Sequence, residues 1–211
     1  MLTLKEVAHY REVGQVTPAY RLSDAVISTI EAKAEALFAS RPDLDQDYAP
    51  NLIATNAGWL DFAIQAENLD SVAQLIGEDI IVWGSAFFCK KGIGGKKTPW
   101  HQDAAYWPIV PMAASTVWIA FDHSTPDNGC MRAGARHGVV PRPFTLHGAE
   151  PNNSGARRGG LTFRYMPTTS YWDRELEVPE IQGKAYIRTR QLHLVRGVDV
   201  CGQNDIYRAV A

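Results

Sequence analysis

The chain has 211 residues, 45% hydrophobic and 21% charged, which suits one compact domain whose core needs no disulfide framework. Its formal charge of −2 favours neither nucleic acid nor an anionic membrane as partner. Cys89, Cys130 and Cys201 are odd in number, far apart and without a CxxC pair, which argues against a zinc ribbon and for a reducing cytoplasm.

The opening run MLTLKEVAHYREVG is charged throughout and lacks an apolar h-region, so it does not read as a signal peptide. Within it, Thr3 followed by Glu6 is a capping box that starts a helix. Ser23 caps a second helix reaching Ser40, with Ala25, Val26, Ile30, Ala34 and Leu37 mostly at three- and four-residue intervals. A third helix is expected over Asp70–Ile76, closed by Gly77. Ile80 to Cys89 is β-branched and aromatic, a buried strand too short to span a bilayer. The turn-rich KKGIGGKKTP follows, and its Lys90, Lys91, Lys96 and Lys97 read as a solvated cluster. Further strands are expected at Ser115–Phe121, Phe144–His147 and Leu161–Met166, with one or two more over Ala185–Val195; nothing is assigned between Arg132 and Arg142. Helices first and strands afterwards describe an α+β, mostly-β chain: a helical part over 1–78 and a β core over 79–211 of a single domain.

The sharpest chemical feature is Trp100-His101-Gln102-Asp103. Residues two apart on a strand share a face, so His101 and Asp103 can aim an imidazole and a carboxylate at one metal ion. The best third ligand is His147, at the end of FTLH. Two histidines and a carboxylate leave open positions, the pattern of non-haem iron(II) oxygenases. His9, His123, His137 and His193 have no such companions, although His123 and His137 could approach the pocket. Arg158 lies eleven residues beyond His147, across the loop GAEPNNSGAR. If FTLH and LTFRYM pair as antiparallel neighbours, Arg158 opens the returning strand and can grip a carboxylate with two hydrogen bonds. Otherwise Arg157 and Arg158 are a solvated pair in a loop. Tyr106, Trp107, Asn56 and Trp59 are candidate substrate contacts, with a core role equally open for Tyr106 and Trp107.

From Thr98 to Met166 the chain resembles the phytanoyl-CoA dioxygenase family of 2-oxoglutarate oxygenases. The matching pieces are TPWHQDAAYWPI, VWIAFDHSTPDNGCMR and LHGAEPNNSGARRGGLTFRY. The resemblance implies a double-stranded β-helix, or jelly-roll, core of cupin type. It implies iron ligands at His101, Asp103 and His147, and a cosubstrate-binding arginine at Arg158. Trp118 would border the cosubstrate, and Asn152 and Ser154 would order the loop before Arg158. The implied cofactors are Fe(II), 2-oxoglutarate and O2, the products succinate and CO2, and the partner a small-molecule metabolite. A carboxylate at Asp103, where halogenating relatives carry a small residue, favours hydroxylation or another oxidation over halogenation. The family runs longer between its NGC segment and the distal histidine than this chain does, since His101 and His147 are only 46 positions apart (147 − 101). We place the shortfall between Arg132 and Pro143 and favour a segment left out of the sequence over a natural deletion. Two other readings stay open: a metal-dependent isomerase or hydrolase on a similar barrel, and a non-catalytic ligand-binding jelly roll.

Overall fold

The structure, a computed structural model, describes residues 1–133, 142–179 and 187–207. Most of the region of the expected shortfall, His137 and the start of the expected tail strand lie outside the described residues.

The helices are α1 (Leu4–Val13), α2 (Asp24–Ser40), α3 (Leu52–Thr55), α4 (Leu60–Ala63) and α5 (Ala66–Ile76). Thr3 caps α1 reciprocally with Glu6: Thr3 Oγ1 accepts from the Glu6 amide at 3.2 Å, and the Glu6 carboxylate accepts from the Thr3 amide at 2.7 Å. Gly14, left-handed at φ 86°, stops the helix. Ser23 caps α2 as expected. α5 begins four residues earlier than Asp70, because Gln65 supplies no side-chain cap and its start leaves no sequence signal. No described helix is long and apolar enough to cross a membrane.

The strands are β1 (Ala49–Pro50), β2 (Ile80–Lys90), β3 (Thr98–His101), β4 (Ile109–Val110), β5 (Ser115–Ala120), β6 (Met131–Ala133), β7 (His147–Ala149), β8 (Arg158–Pro167), β9 (Tyr171–Trp172) and β10 (His193–Arg196). The main sheet runs β1-β2-β8-β5, with β10 also on β2, and a smaller sheet runs β3-β7-β6. Every pairing between these strands is antiparallel, and no described sheet closes into a barrel. This is an open jelly-roll arrangement, mostly β with helices packed on one face.

Alternation on β8 sorts its residues. Leu161, Phe163 and Tyr165 are fully buried in a core shared with Ile30, Phe38, Trp59, Phe62 and Phe87. At the far end of the sheet Ile81 and Met166 turn the other way, into a second cluster with Trp83, Trp107 and Trp172. Burying about half a dozen such side chains on each face, at roughly 1.5–3 kcal/mol apiece, holds the sheet between the two clusters.

Two expectations are corrected. Phe144–His147 is not a strand: residues 142–144 form a 3-10 turn around Pro143, which has no N–H for a ladder, and β7 starts only at His147. Nor is β7 a neighbour of β8. β7 pairs with β3 and β6, while β8 pairs with β2 and β5, so the loop between them changes sheets instead of closing a hairpin.

Candidate metal centre

The β3–β7 register sets His101 directly opposite His147, with ring centroids 4.3 Å apart. β3 ends at His101, and Asp103 opens a 3-10 turn over Asp103–Tyr106 instead of continuing the strand. The turn still delivers the carboxylate: one donor atom each from His101, Asp103 and His147 lie within 4.8 Å of one another. Gln102, between the two, donates its amide to Phe144 O and so ties this turn to the approach of β7.

Both imidazoles are oriented from behind. His101 Nδ1–H donates to Pro99 O at 2.7 Å, and His147 Nδ1–H donates to Thr145 O at 3.0 Å. A carbonyl can only accept, so each ring keeps its proton on Nδ1 and turns a basic Nε2 towards the other donors. His101 Nε2 lies 3.6 Å from Asp103 Oδ1. That neighbour raises the imidazole's pKa above its ordinary 6.5, against the opposing effect of burial. For Asp103 burial pushes the carboxyl up, but the contact with His101 and the charges of Arg164 and His147 outweigh it and leave it below 3.8. Two imidazole nitrogens and an ionised carboxylate suit a divalent first-row metal.

Arg158 opens β8 opposite Lys90 of β2. It is 3% exposed, yet no described carboxylate lies within ion-pair distance. Among the described residues its one side-chain hydrogen bond runs from Nη1 to Phe88 O at 3.2 Å, and its buried Nε has no partner there. Trp118 backs the guanidinium at 5.4 Å, and Gly160 has no side chain because a Cβ there would meet that indole. The adjacent Arg157 is the opposite case, bound to Asp122 at 2.7 and 2.9 Å and to Glu35. The two arginines are therefore not a solvated pair. A buried cation with open donors fits a carboxylate brought from outside.

The other expected residues are scattered. Tyr106 stands with its ring 6.4 Å from that of His101. Trp107 is buried against Trp83 at 4.7 Å, edge to face. Trp59 belongs to the helix-side core, packed edge-on against Phe87, and Asn56 caps the next turn by accepting from the Gly58 amide. Neither is brought to the triad. The Ser154 hydroxyl donates to Asn152 Oδ1 at 2.8 Å within its loop, where Asn152 is fully buried. His123 is exposed, and half-buried His193 packs on Tyr207.

Two residues escaped the sequence reading. Lys90 is 2% exposed, not solvated: its ammonium donates to Lys96 O at 2.6 Å, Ala149 O at 3.3 Å and Glu150 O at 2.5 Å. It thereby fastens the chain entering β3 and leaving β7 to the main sheet. Burial, with the charge of Arg158, lowers its pKa to about 8. Its place at the end of an apolar strand was the available signal. Arg164 carries charge towards His101 and Asp103 from the middle of β8. Its even spacing from Arg158 put it on the same face.

A family model described as phytanoyl-CoA dioxygenase matches residues 10–134. No curated protein sequence matches the chain. Solved structures similar to this one include CytC3 with Fe(II) and alpha-ketoglutarate (22% identity, TM-score 0.73, 99% of this chain and 93% of that one). Another is the non-heme alpha ketoglutarate dependent carbocyclase SnoK from nogalamycin biosynthesis (18% identity, TM-score 0.71, 86% and 88%). A third is EctD from S. alaskensis with bound Fe (17% identity, TM-score 0.70, 84% and 80%).

Proposed function

From the premise that the chain belongs to the phytanoyl-CoA dioxygenase family, we propose that it is an Fe(II)- and 2-oxoglutarate-dependent oxygenase acting on a small-molecule metabolite. The observation that carries this is the convergence of His101, Asp103 and His147 with both histidine Nδ1–H groups already engaged. His101 Nε2, His147 Nε2 and an Asp103 oxygen would hold the metal. Arg158, backed by Trp118, would receive the far carboxylate of the cosubstrate and fix its position. Bound iron(II) with 2-oxoglutarate supplies an O2-derived oxidant, releasing succinate and CO2.

The chain's own residues do the rest. Pro99 and Thr145 carbonyls hold the ring tautomers, and Trp107, close behind Tyr106, is packed with Trp83 and Trp172 in a buried apolar cluster. With a metal bound, the Asp103 carboxylate would take the position that a halide would need, so hydroxylation or a related oxidation is the proposed outcome. An isomerase or hydrolase on the same metal would leave Arg158 without a role.

The test is anaerobic addition of 2-oxoglutarate to the Fe(II)-loaded protein. A weak visible charge-transfer band is expected, lost in His101→Ala and in Arg158→Ala. Tight zinc retention with no band would instead favour the isomerase or hydrolase.

A further inference from the structure

Within the cavity-facing row of β8, Arg158, Gly160, Thr162 and Arg164 alternate with the buried core residues. Thr162 is already engaged, its hydroxyl donating to Ala86 O at 3.0 Å. Arg158 has the assigned partner described above. Arg164 has none. Its guanidinium makes no hydrogen bond or ion pair with any described residue, and its Nε is buried unpaired. Three rings hold it in place: Trp107 at 5.7 Å, Trp83 at 5.9 Å and Phe88 at 5.9 Å from its central carbon. Opposite it, β2 bulges between Val82 and Gly84, and a Cβ on Gly84 would stand 3.4 Å from the Arg164 stem. The sheet is thus shaped to admit this side chain on the face it shares with Arg158.

Aromatic faces stabilise a cation but satisfy none of its five N–H donors, and the fork of a guanidinium matches a carboxylate. We propose that Arg164 is a second carboxylate-binding residue of this cavity, taking either an acid group of the primary substrate or the metal-side end of the keto acid. The proposal rests on the oxygenase reading above, in which Arg158 takes the far end of the cosubstrate. Arg158 and Arg164 are separated by six residues, roughly 20 Å of strand rise, with Phe88 between them: its carbonyl accepts from Arg158 and its ring faces Arg164. The two cations therefore address the cavity from opposite ends.

Calorimetric titration of the Fe(II)-loaded protein under anaerobic conditions tests this in two arms. In the first, 2-oxoglutarate is titrated into wild type, Arg164→Gln and Arg164→Lys. In the second, protein saturated with 2-oxoglutarate is titrated with benzoate and hexanoate, and with benzamide and hexanamide as uncharged controls. A substrate-side role predicts that the acids bind wild type and the amides do not. Acid binding then weakens at least tenfold in Arg164→Gln, recovers in part in Arg164→Lys, and leaves 2-oxoglutarate affinity within twofold. A keto-acid role predicts the converse: a tenfold loss of 2-oxoglutarate affinity and no acid binding in its presence. If folded Arg164→Gln, judged by near-UV circular dichroism, changes neither titration, the proposal is overturned. Failure of the oxygenase reading looks different: wild type itself shows no charge-transfer band, and benzoate titrated into the Fe(II) protein alone still reports on Arg164.

Discussion

The two faces of the β2–β8 pair differ in how far folding alone completes them. Towards the helices, Leu161, Phe163 and Tyr165 are fully buried, and the lone polar group among them, the Tyr165 hydroxyl, donates to Ala63 O at 2.8 Å. Towards the cavity stand Arg158 and Arg164, each with an unpaired buried Nε. Consecutive residues divide the same way: Arg157 is ion-paired with Asp122, Glu35 and Glu31, while Arg158 meets no described acid. Buried polar atoms are ordinarily satisfied because leaving one unpaired costs about 1–3 kcal/mol. Two unpaired guanidinium nitrogens on the face opposite the helices are what the proposed ligand-binding roles of Arg158 and Arg164 would explain.

Breaking the helix-side face should cost the most stability. Phe163→Ala removes a fully buried ring and is expected to destabilise by about 3–5 kcal/mol in denaturant titration. The folded fraction should still bind 2-oxoglutarate within twofold of wild type; a parallel loss of affinity would show that the two faces are not separable. Arg158→Gln is the converse change. It is expected to weaken 2-oxoglutarate binding by about 2–5 kcal/mol. The melting temperature of the metal-free protein should hold or rise, because an uncompensated buried cation has been removed. A fall in that melting temperature would mean that Arg158 supports the fold itself.

How much of this was legible in the sequence follows from which interactions are local. The Thr3–Glu6 box and the Ser23 cap are closed within three residues, so they could be read directly, and so could the apolar run of β2. HxD and the distal histidine were legible as chemistry, yet the sequence reading had the wrong route to their convergence. Asp103 arrives on a turn, and β7 and β8 belong to different sheets. Sheet partnership is set by contacts between distant segments, and nothing in GAEPNNSGAR marks it as a crossing between sheets. Lys90 was misread for the same reason: the carbonyls that surround it belong to residues 96, 149 and 150, and a lysine beside Lys91 resembles a solvated loop until those segments fold around it.

That lysine gives a smaller test of the comparison, as the cavity-side cation that folding does satisfy. Lys90→Met keeps the buried stem but leaves three carbonyls without their donor, and should destabilise by about 1–3 kcal/mol. Metal binding should weaken with it, by roughly the 10–100-fold seen when a ligand's supporting shell is removed. Unchanged stability in thermal melts would indicate that the three loops are held by other contacts.

The smallest effect is the most diagnostic, because its sign differs between metal-free and metal-loaded protein. Asp103 raises the pKa of His101 above 6.5 in the folded, metal-free chain. That contact stabilises the metal-free fold fully below pH 6.5, and the contribution is lost as pH rises through the raised value. Asp103, held below 3.8, keeps its own contribution until pH falls further still. Metal binding needs the neutral imidazole, so its affinity should drop about tenfold, or ~1.4 kcal/mol, per pH unit below the raised value. His193, which burial lowers, loses stability on acidification in both forms alike and cancels in the difference. Thermal melts between pH 8 and pH 5.5, about one unit below the ordinary histidine value, should therefore show the metal-induced stabilisation shrinking steadily with acidification. A gap between the two forms that stays constant across that range would place the metal somewhere other than on His101.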